Sequence, residues 1–288
     1  VALQPGAGVD VSAEPGGDAG KVTIRAPHGG VDIAAGTLRG MAAADAGSVR
    51  GEGGRADLYG GTLADFCALF GPLERTVRGD WASPAVPEVT VLSNLKDGLG
   101  RNIGGLGDGE LQWHSDQSYM EKPATGAALY ALELPPQGEG GETFWVDLRA
   151  AYAALPRAVR GKISGKRGVF DYAKRLAGYG RESDSQISEE ARRLTPPVTH
   201  ALVRAHPETG DRSLYLDSTT TIGIDYMDTT SGMTLLDEVY AAATRDEFVY
   251  AHEWRVDDLV LWDNGLTIHR RTPFDPGYRR LRSEGHTS

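Results

Sequence analysis

Short runs of β-branched and aromatic residues, each cut off by Gly, Pro, Asn or Asp, recur along this chain and steer it toward a β-rich fold. Strands are expected at 22–25, 31–33, 89–93, 111–116, 126–134, 142–146, 201–205, 213–216, 259–262 and 279–282. Many such runs with few helices favour a mainly β sandwich or jelly roll with helices packed outside. Helical patterns are confined to 62–70, 148–155, 158–163 and 233–243. Thr62 reads as the N-cap of the first and Gly71-Pro72 as its stop, while Pro156 divides the middle pair. His206-Pro-Glu-Thr-Gly210 has the composition of a hairpin tip.

The 288 residues are read as one domain, 1–288. Its first 60 residues hold 14 of the 38 glycines and few large apolar side chains, so this stretch is expected to be poorly patterned and partly a loop covering the core. Residues 174–195 are polar without periodicity and read as an exposed excursion. A net charge of -10 with no basic tract speaks against a nucleic-acid partner. No apolar run approaches the roughly 18 residues that a membrane helix needs. The single cysteine, Cys67, sits in an apolar helical pattern and reads as a core residue in a reducing compartment, with the cytoplasm as the expected location. A homo-oligomer is left open.

The chemistry concentrates in Trp113-His114-Ser115-Asp116. On a strand, residues two apart share a face, so His114 and Asp116 would converge while Ser115 faces away. An imidazole and a carboxylate supply two members of a 2-His-1-carboxylate triad, which leaves positions open on Fe(II). A His-x-Asp pair alone is weak, since the chain has seven histidines. Of the others, His28 and His286 lie near the ends, His200 precedes an apolar strand, and His206 with Glu208 sits in a turn. His269 ends a run that turns at Asp263-Asn264-Gly265; a satisfied core histidine is the ordinary alternative there. Asp263 and Asn264 suit the bend that would aim it.

Several blocks together resemble the taurine dioxygenase (TauD/TfdA) family. They are Gly107-Asp-Gly-Glu-Leu-Gln-Trp-His-Ser-Asp-Gln-Ser-Tyr119, Leu129-Tyr-Ala-Leu-Glu-Leu-Pro-Pro136, Gly140-Gly-Glu-Thr143, His206-Pro-Glu-Thr-Gly210, Trp262-Asp-Asn264 with His269, and Arg279-Arg280. They occur in family order across about three-quarters of the chain. The resemblance implies a double-stranded β-helix (a cupin-like jelly roll), with His114, Asp116 and His269 as ligands of Fe(II). It implies that Arg280, eleven residues after His269, and Thr143 bind the distal carboxylate of 2-oxoglutarate. A guanidinium suits that task because it pairs bidentately and stays charged.

The activity implied is oxidation, foremost hydroxylation, of an unactivated C–H bond in a small molecule, using O2 and releasing succinate and CO2. Desaturation, cyclisation and epoxidation use the same iron site. Related halogenases carry a small residue in place of this carboxylate, so Asp116 speaks against halogenation. A zinc hydrolase on the same triad and a non-catalytic jelly-roll sensor are the rival readings. Neither needs an intact triad beside a carboxylate grip.

Gln117, Tyr119 and Tyr172 are expected to face the pocket, the amide reading a polar group and the tyrosines offering rings and hydroxyls. The chain departs from the family where some members place a second, substrate-binding arginine four residues after Arg280. Glu284 stands there, with Arg282 or Arg271 as candidates to take over.

Overall fold

The computed structural model describes residues 8–12, 21–26, 47–51, 61–179 and 188–288. Two β-sheets face each other. The larger runs in the order Gly8–Ser12, Lys21–Ala26, Gly47–Gly51, Asp258–Asp263, Gly126–Glu133, Leu281–Thr287, Val89–Ser93, Gly105–Leu106, with Leu73–Glu74 also pairing Leu281–Thr287. The smaller runs Val249–His252, Thr143–Asp147, Thr267–Arg271, Leu111–His114. This is the jelly-roll layering expected from the strand pattern.

Alternation along the strands sorts the core into three layers. Between the sheets lie Leu92, Ala127, Leu129, Val260 and Trp262 from one side and Trp145 from the other. On the outer face of the larger sheet, Ala128, Tyr130, Leu132 and Leu281 pack under the helix Gly61–Ala68 through Leu63 and Cys67. Gly285 permits that approach, because a Cβ there would lie 2.7 Å from the Cys67 Sγ. Cys67 is buried as expected, and burial pushes its thiol up to about 12. The outer face of the smaller sheet, Val146 and Ile268, packs on the helices Leu148–Ala154, Arg157–Ile163 and Thr229–Ala243. Asp147 and Asp228 cap the first and last of these by accepting backbone N–H bonds, which satisfies donors that every helix start leaves free.

Some expectations need amending. The strand read at 279–282 as closing the sheet is Leu281–Thr287 and lies inside it, paired on one side with Gly126–Glu133 and on the other with Val89–Ser93. The glycine-rich amino-terminal region contributes strands: Gly47–Gly51 pairs antiparallel with Asp258–Asp263 and parallel with Lys21–Ala26. The run at 31–33 and the covering loop fall outside the described residues. The segment from 174 is not wholly an exposed excursion, since the helix Tyr172–Ala177 buries Tyr172 and Leu176. Among the described residues no helix is long and apolar enough to cross a membrane.

Candidate active site

His114 is the last residue of its strand and pairs directly with His269 on the neighbouring strand, bringing the two rings to 4.1 Å between centroids. The expected strand over 111–116 stops there; Asp116 sits in the turn beyond it, so strand alternation alone does not aim its carboxylate. The turn does. Gln117 adopts φ 52°, and Ser115 hydrogen-bonds to the Asn264 carbonyl through Oγ. The buried Asp217 ties the turn down: its Oδ2 accepts from Ser115 N–H and Ser118 Oγ, and its Oδ1 from Thr219 N–H, Thr219 Oγ and Thr220 N–H.

The result is one convergence point. The Nε2 atoms of His114 and His269 lie 3.8 and 3.7 Å from Asp116 Oδ1, and all three residues are buried. His114 Nδ1 is 2.7 Å from the Gln112 carbonyl, which can only accept, so the proton resides on Nδ1 and the Nε2 lone pair points inward. Burial, then the neighbouring His269 and Arg175, hold the His114 imidazole well below its usual range; burial also lowers His269. Burial would raise the Asp116 carboxyl, but His269, His286 and His114 outweigh it and keep the group ionised. Two imidazoles whose charge burial disfavours and a carboxylate, aimed at one point, are the donor set of a non-haem Fe(II) site. The turn Asp263-Asn264-Gly265 serves His269 as expected: Asp263 Oδ1 accepts from Gly265 and Leu266 N–H, and Asn264 accepts from Trp262 Nε1.

The triad opens on a cavity of about 280 Å³. Thr143 and Arg280 line it as well. Arg280 is 2% exposed, and its Nε and Nη1 find no hydrogen-bond partner among the described residues. Burial, then Arg282 and Arg271, push its pKa well below that of a free guanidinium, the signature of a buried cation short of an anion. Thr143 Oγ accepts from Trp254 Nε1 at 2.9 Å and Arg282 Nη1 at 3.1 Å. Both lone pairs are thereby used, and the hydroxyl hydrogen is left to donate.

Gln117, Tyr119 and Tyr172 also line the cavity, the two tyrosine rings 4.1 Å apart at 30°. Arg282 requires a correction. Its guanidinium donates to Thr143 and the Gly141 carbonyl, lies 4.0 Å over the Trp254 ring, and is not among the cavity-lining residues. It braces Thr143, because those partners turn it away from the space a substrate could reach.

Sequence reasoning assigned no site role to four groups, although it noted Glu284 and His286 by position. Glu284 and His286 line the cavity, and counting in twos from Arg280 along the strand would have found both. Arg175, one helical turn after Tyr172, lies 5.7 Å from the Tyr119 ring centroid and lines the cavity too. Asp217 gave no signal, being a lone acidic residue about a hundred positions from the turn it holds. Burial, then Asp116, raise the Glu284 carboxyl to about 7.

Comparison with known proteins agrees with this geometry. Residues 55–284 match the model of the family "Taurine catabolism dioxygenase TauD, TfdA family". Pentalenolactone F synthase of Streptomyces avermitilis is 33% identical over 79% of this chain and 77% of its own. The alpha-ketoglutarate-dependent 2,4-dichlorophenoxyacetate dioxygenase of Cupriavidus pinatubonensis is 35% identical over 75% of this chain and 76% of its own. Among solved structures, AAD-2 in complex with Mn(II) and N-oxalylglycine aligns with a TM-score of 0.74 and 26% identity, covering 97% of each chain.

Proposed function

Because the chain belongs to the TauD/TfdA family and is an Fe(II)- and 2-oxoglutarate-dependent oxygenase, we propose that His114, Asp116 and His269 hold the iron while Arg280 and Thr143 hold the distal carboxylate of 2-oxoglutarate. The reaction proposed is hydroxylation of an unactivated C–H bond in a small molecule. The observation that carries this reading is the meeting of two imidazole Nε2 atoms on one Asp116 oxygen, in a cavity that also presents the buried Arg280.

When bound, the iron with 2-oxoglutarate and O2 supplies the oxidising power, and succinate and CO2 are the co-products. The chain's own residues prepare the site. The Gln112 carbonyl fixes the tautomer and tilt of His114. Burial lowers the pKa of His114 and His269, which favours the unprotonated rings that ligation needs. Asp116 stays ionised and takes the ligand position that a halogenase would leave to chloride. The Arg280 guanidinium meets a carboxylate without first shedding a protein partner, and Thr143 adds a hydroxyl donor fixed by Trp254 and Arg282. Trp81, Tyr119 and Tyr172 give the cavity rigid apolar walls that displace water.

Anaerobic addition of Fe(II) and 2-oxoglutarate is expected to give a weak visible charge-transfer band, and admission of O2 to release succinate. Asp116→Ala should abolish both. A band and succinate yield unchanged in that variant would overturn the ligand assignment, as would zinc-supported turnover independent of 2-oxoglutarate.

A further inference from the structure

Along Leu281–Thr287 the odd residues face the outer helix: Leu281 packs with Leu63 and Cys67, and Gly285 lies against Cys67. Alternation turns Glu284 inward, where it lines the cavity with its side chain 10% exposed. No arginine or lysine forms an ion pair with it among the described residues. Its near neighbour is His286, whose Nε2 lies 3.7 Å from Glu284 Oε2 and 3.8 Å from Asp116 Oδ2. The single Nε2–H of this imidazole can point at only one of the two carboxylates, and no hydrogen bond is formed to the Glu284 side chain among the described residues.

The cationic side chains of the same cavity make their hydrogen bonds elsewhere, although Arg280 and Arg175 favour the Glu284 carboxylate through space. Arg78 pairs with Asp80 and lies over the Trp81 ring; Lys174 donates to the Thr221 carbonyl. Arg175 donates to Thr219 Oγ and faces Asp217, and Arg271 donates to the carbonyls of Leu106 and Gly109. Arg280 is taken up by the cosubstrate in the reading above. What the cavity offers a second molecule is thus a carboxylate beside the metal site and aromatic walls, including the Tyr119–Tyr172 pair.

We propose that Glu284 selects the primary substrate: a small molecule bearing a protonated amine that pairs with this carboxylate, with its apolar or aromatic body against Trp81, Tyr119 and Tyr172. This rests on the oxygenase reading and adds the substrate class. A buried carboxylate rejects an anion and rewards a cation that brings its own hydrogen-bond donors. The chain would therefore differ from the relative that is named for 2,4-dichlorophenoxyacetate, an anion.

The test uses the full chain loaded anaerobically with Fe(II) and 2-oxoglutarate. Benzylamine, 2-phenylethylamine and cyclohexylamine are each titrated against the alcohol and the carboxylate of matching skeleton. Binding is followed by calorimetry, and succinate release after O2 is admitted. At least one amine should bind tenfold or more tightly than its alcohol and carboxylate counterparts. Glu284→Gln should erase that preference, and Glu284→Arg should reverse it toward the carboxylate. Carboxylates that bind wild type as well as the amines do, amines that do not bind at all, or a preference that survives Glu284→Gln would each overturn the proposal. The wild-type panel decides even if a variant fails to fold. A wild-type chain that binds no 2-oxoglutarate sinks the oxygenase reading and this proposal with it; one that binds 2-oxoglutarate but fails the panel sinks this proposal alone.

Discussion

Replacing Arg280 by methionine should have opposite effects on the ligand-free and the cosubstrate-bound protein. The guanidinium is 2% exposed, and two of its nitrogens are buried without a partner among the described residues. Burial followed by the fields of Arg282 and Arg271 disfavours its charge. Methionine keeps much of the length and volume and removes the charge, so the ligand-free fold is expected to stay within about 1 kcal/mol of wild type or to gain stability. Binding of 2-oxoglutarate is a different matter. Truncating one partner of a buried, charge-assisted pair costs about 2–5 kcal/mol, which at the middle of that range is several hundredfold in affinity.

Thermal unfolding with Mn(II), with and without 2-oxoglutarate, reads both effects at once. A ligand at one hundred times its Kd stabilises by about 2.7 kcal/mol, which for a chain of this size is a rise of about 4–5 °C in Tm. At the same concentration a variant weakened a hundredfold gains only about 0.4 kcal/mol, a rise near 1 °C. Arg280→Met should therefore unfold near the wild-type temperature alone and show almost none of the cosubstrate-induced rise. A variant that unfolds early alone yet keeps the full rise would refute the reasoning, because Arg280 would then be a structural cation.

Asp217 accepts from Ser115, Ser118, Thr219 and Thr220, so Asp217→Ala should cost about 3–5 kcal/mol in urea unfolding and loosen iron binding, with Asp217→Asn milder in both. An alanine variant with wild-type stability would show that the turn holds itself. A hydrogen bond from His206 Nε2 to Asp263 raises the histidine's pKa above 6.5, with burial opposing it. A pKa raised by folding contributes stability that is complete below the unfolded value and fades as pH climbs through the folded one. His206→Gln should therefore be more destabilising at pH 6 than at pH 8.5, by under about 1 kcal/mol, and an equal penalty at both pH values would contradict the pairing.

His114 and Asp116 were legible as a short His-x-Asp pattern and His269 only through the family resemblance, but the way the chain aims them was not. Strand alternation brings His114 to the site, and Asp116 reaches it only because Asp217 and the Asn264 carbonyl hold the turn after the strand ends. Neither contact has a sequence spacing that a single chain could reveal. Leu281–Thr287 was harder still. An interior strand of a sandwich normally announces itself with alternating or continuous apolar residues, whereas here Arg282, Glu284 and His286 fill the inward positions. Its functional content therefore masked its place in the fold. The helix Tyr172–Ala177 was hidden for a related reason: Lys174 and Arg175 make it read as surface, while Arg175 is packed against Tyr119 and Asp217.

That same strand explains how the two proposed recognition tasks can be separated. Its register is held from both sides, Glu284 lying opposite Thr90 on one neighbour and Leu129 on the other, and both of those line the cavity. A one-residue slip would turn Leu281 and Gly285 inward and expel Glu284 and His286, so the register is strongly specified by the packing of Leu63 and Cys67 outside. Arg280 and Glu284, four residues apart, are separated by about 13 Å of extended backbone. The proposed cosubstrate grip and the proposed substrate-reading carboxylate thus project from different points of one rigid element. A change of charge at position 284 can alter which substrate is accepted while the guanidinium at 280 keeps its aim. On a loop, with its freer backbone, the same substitution would move both.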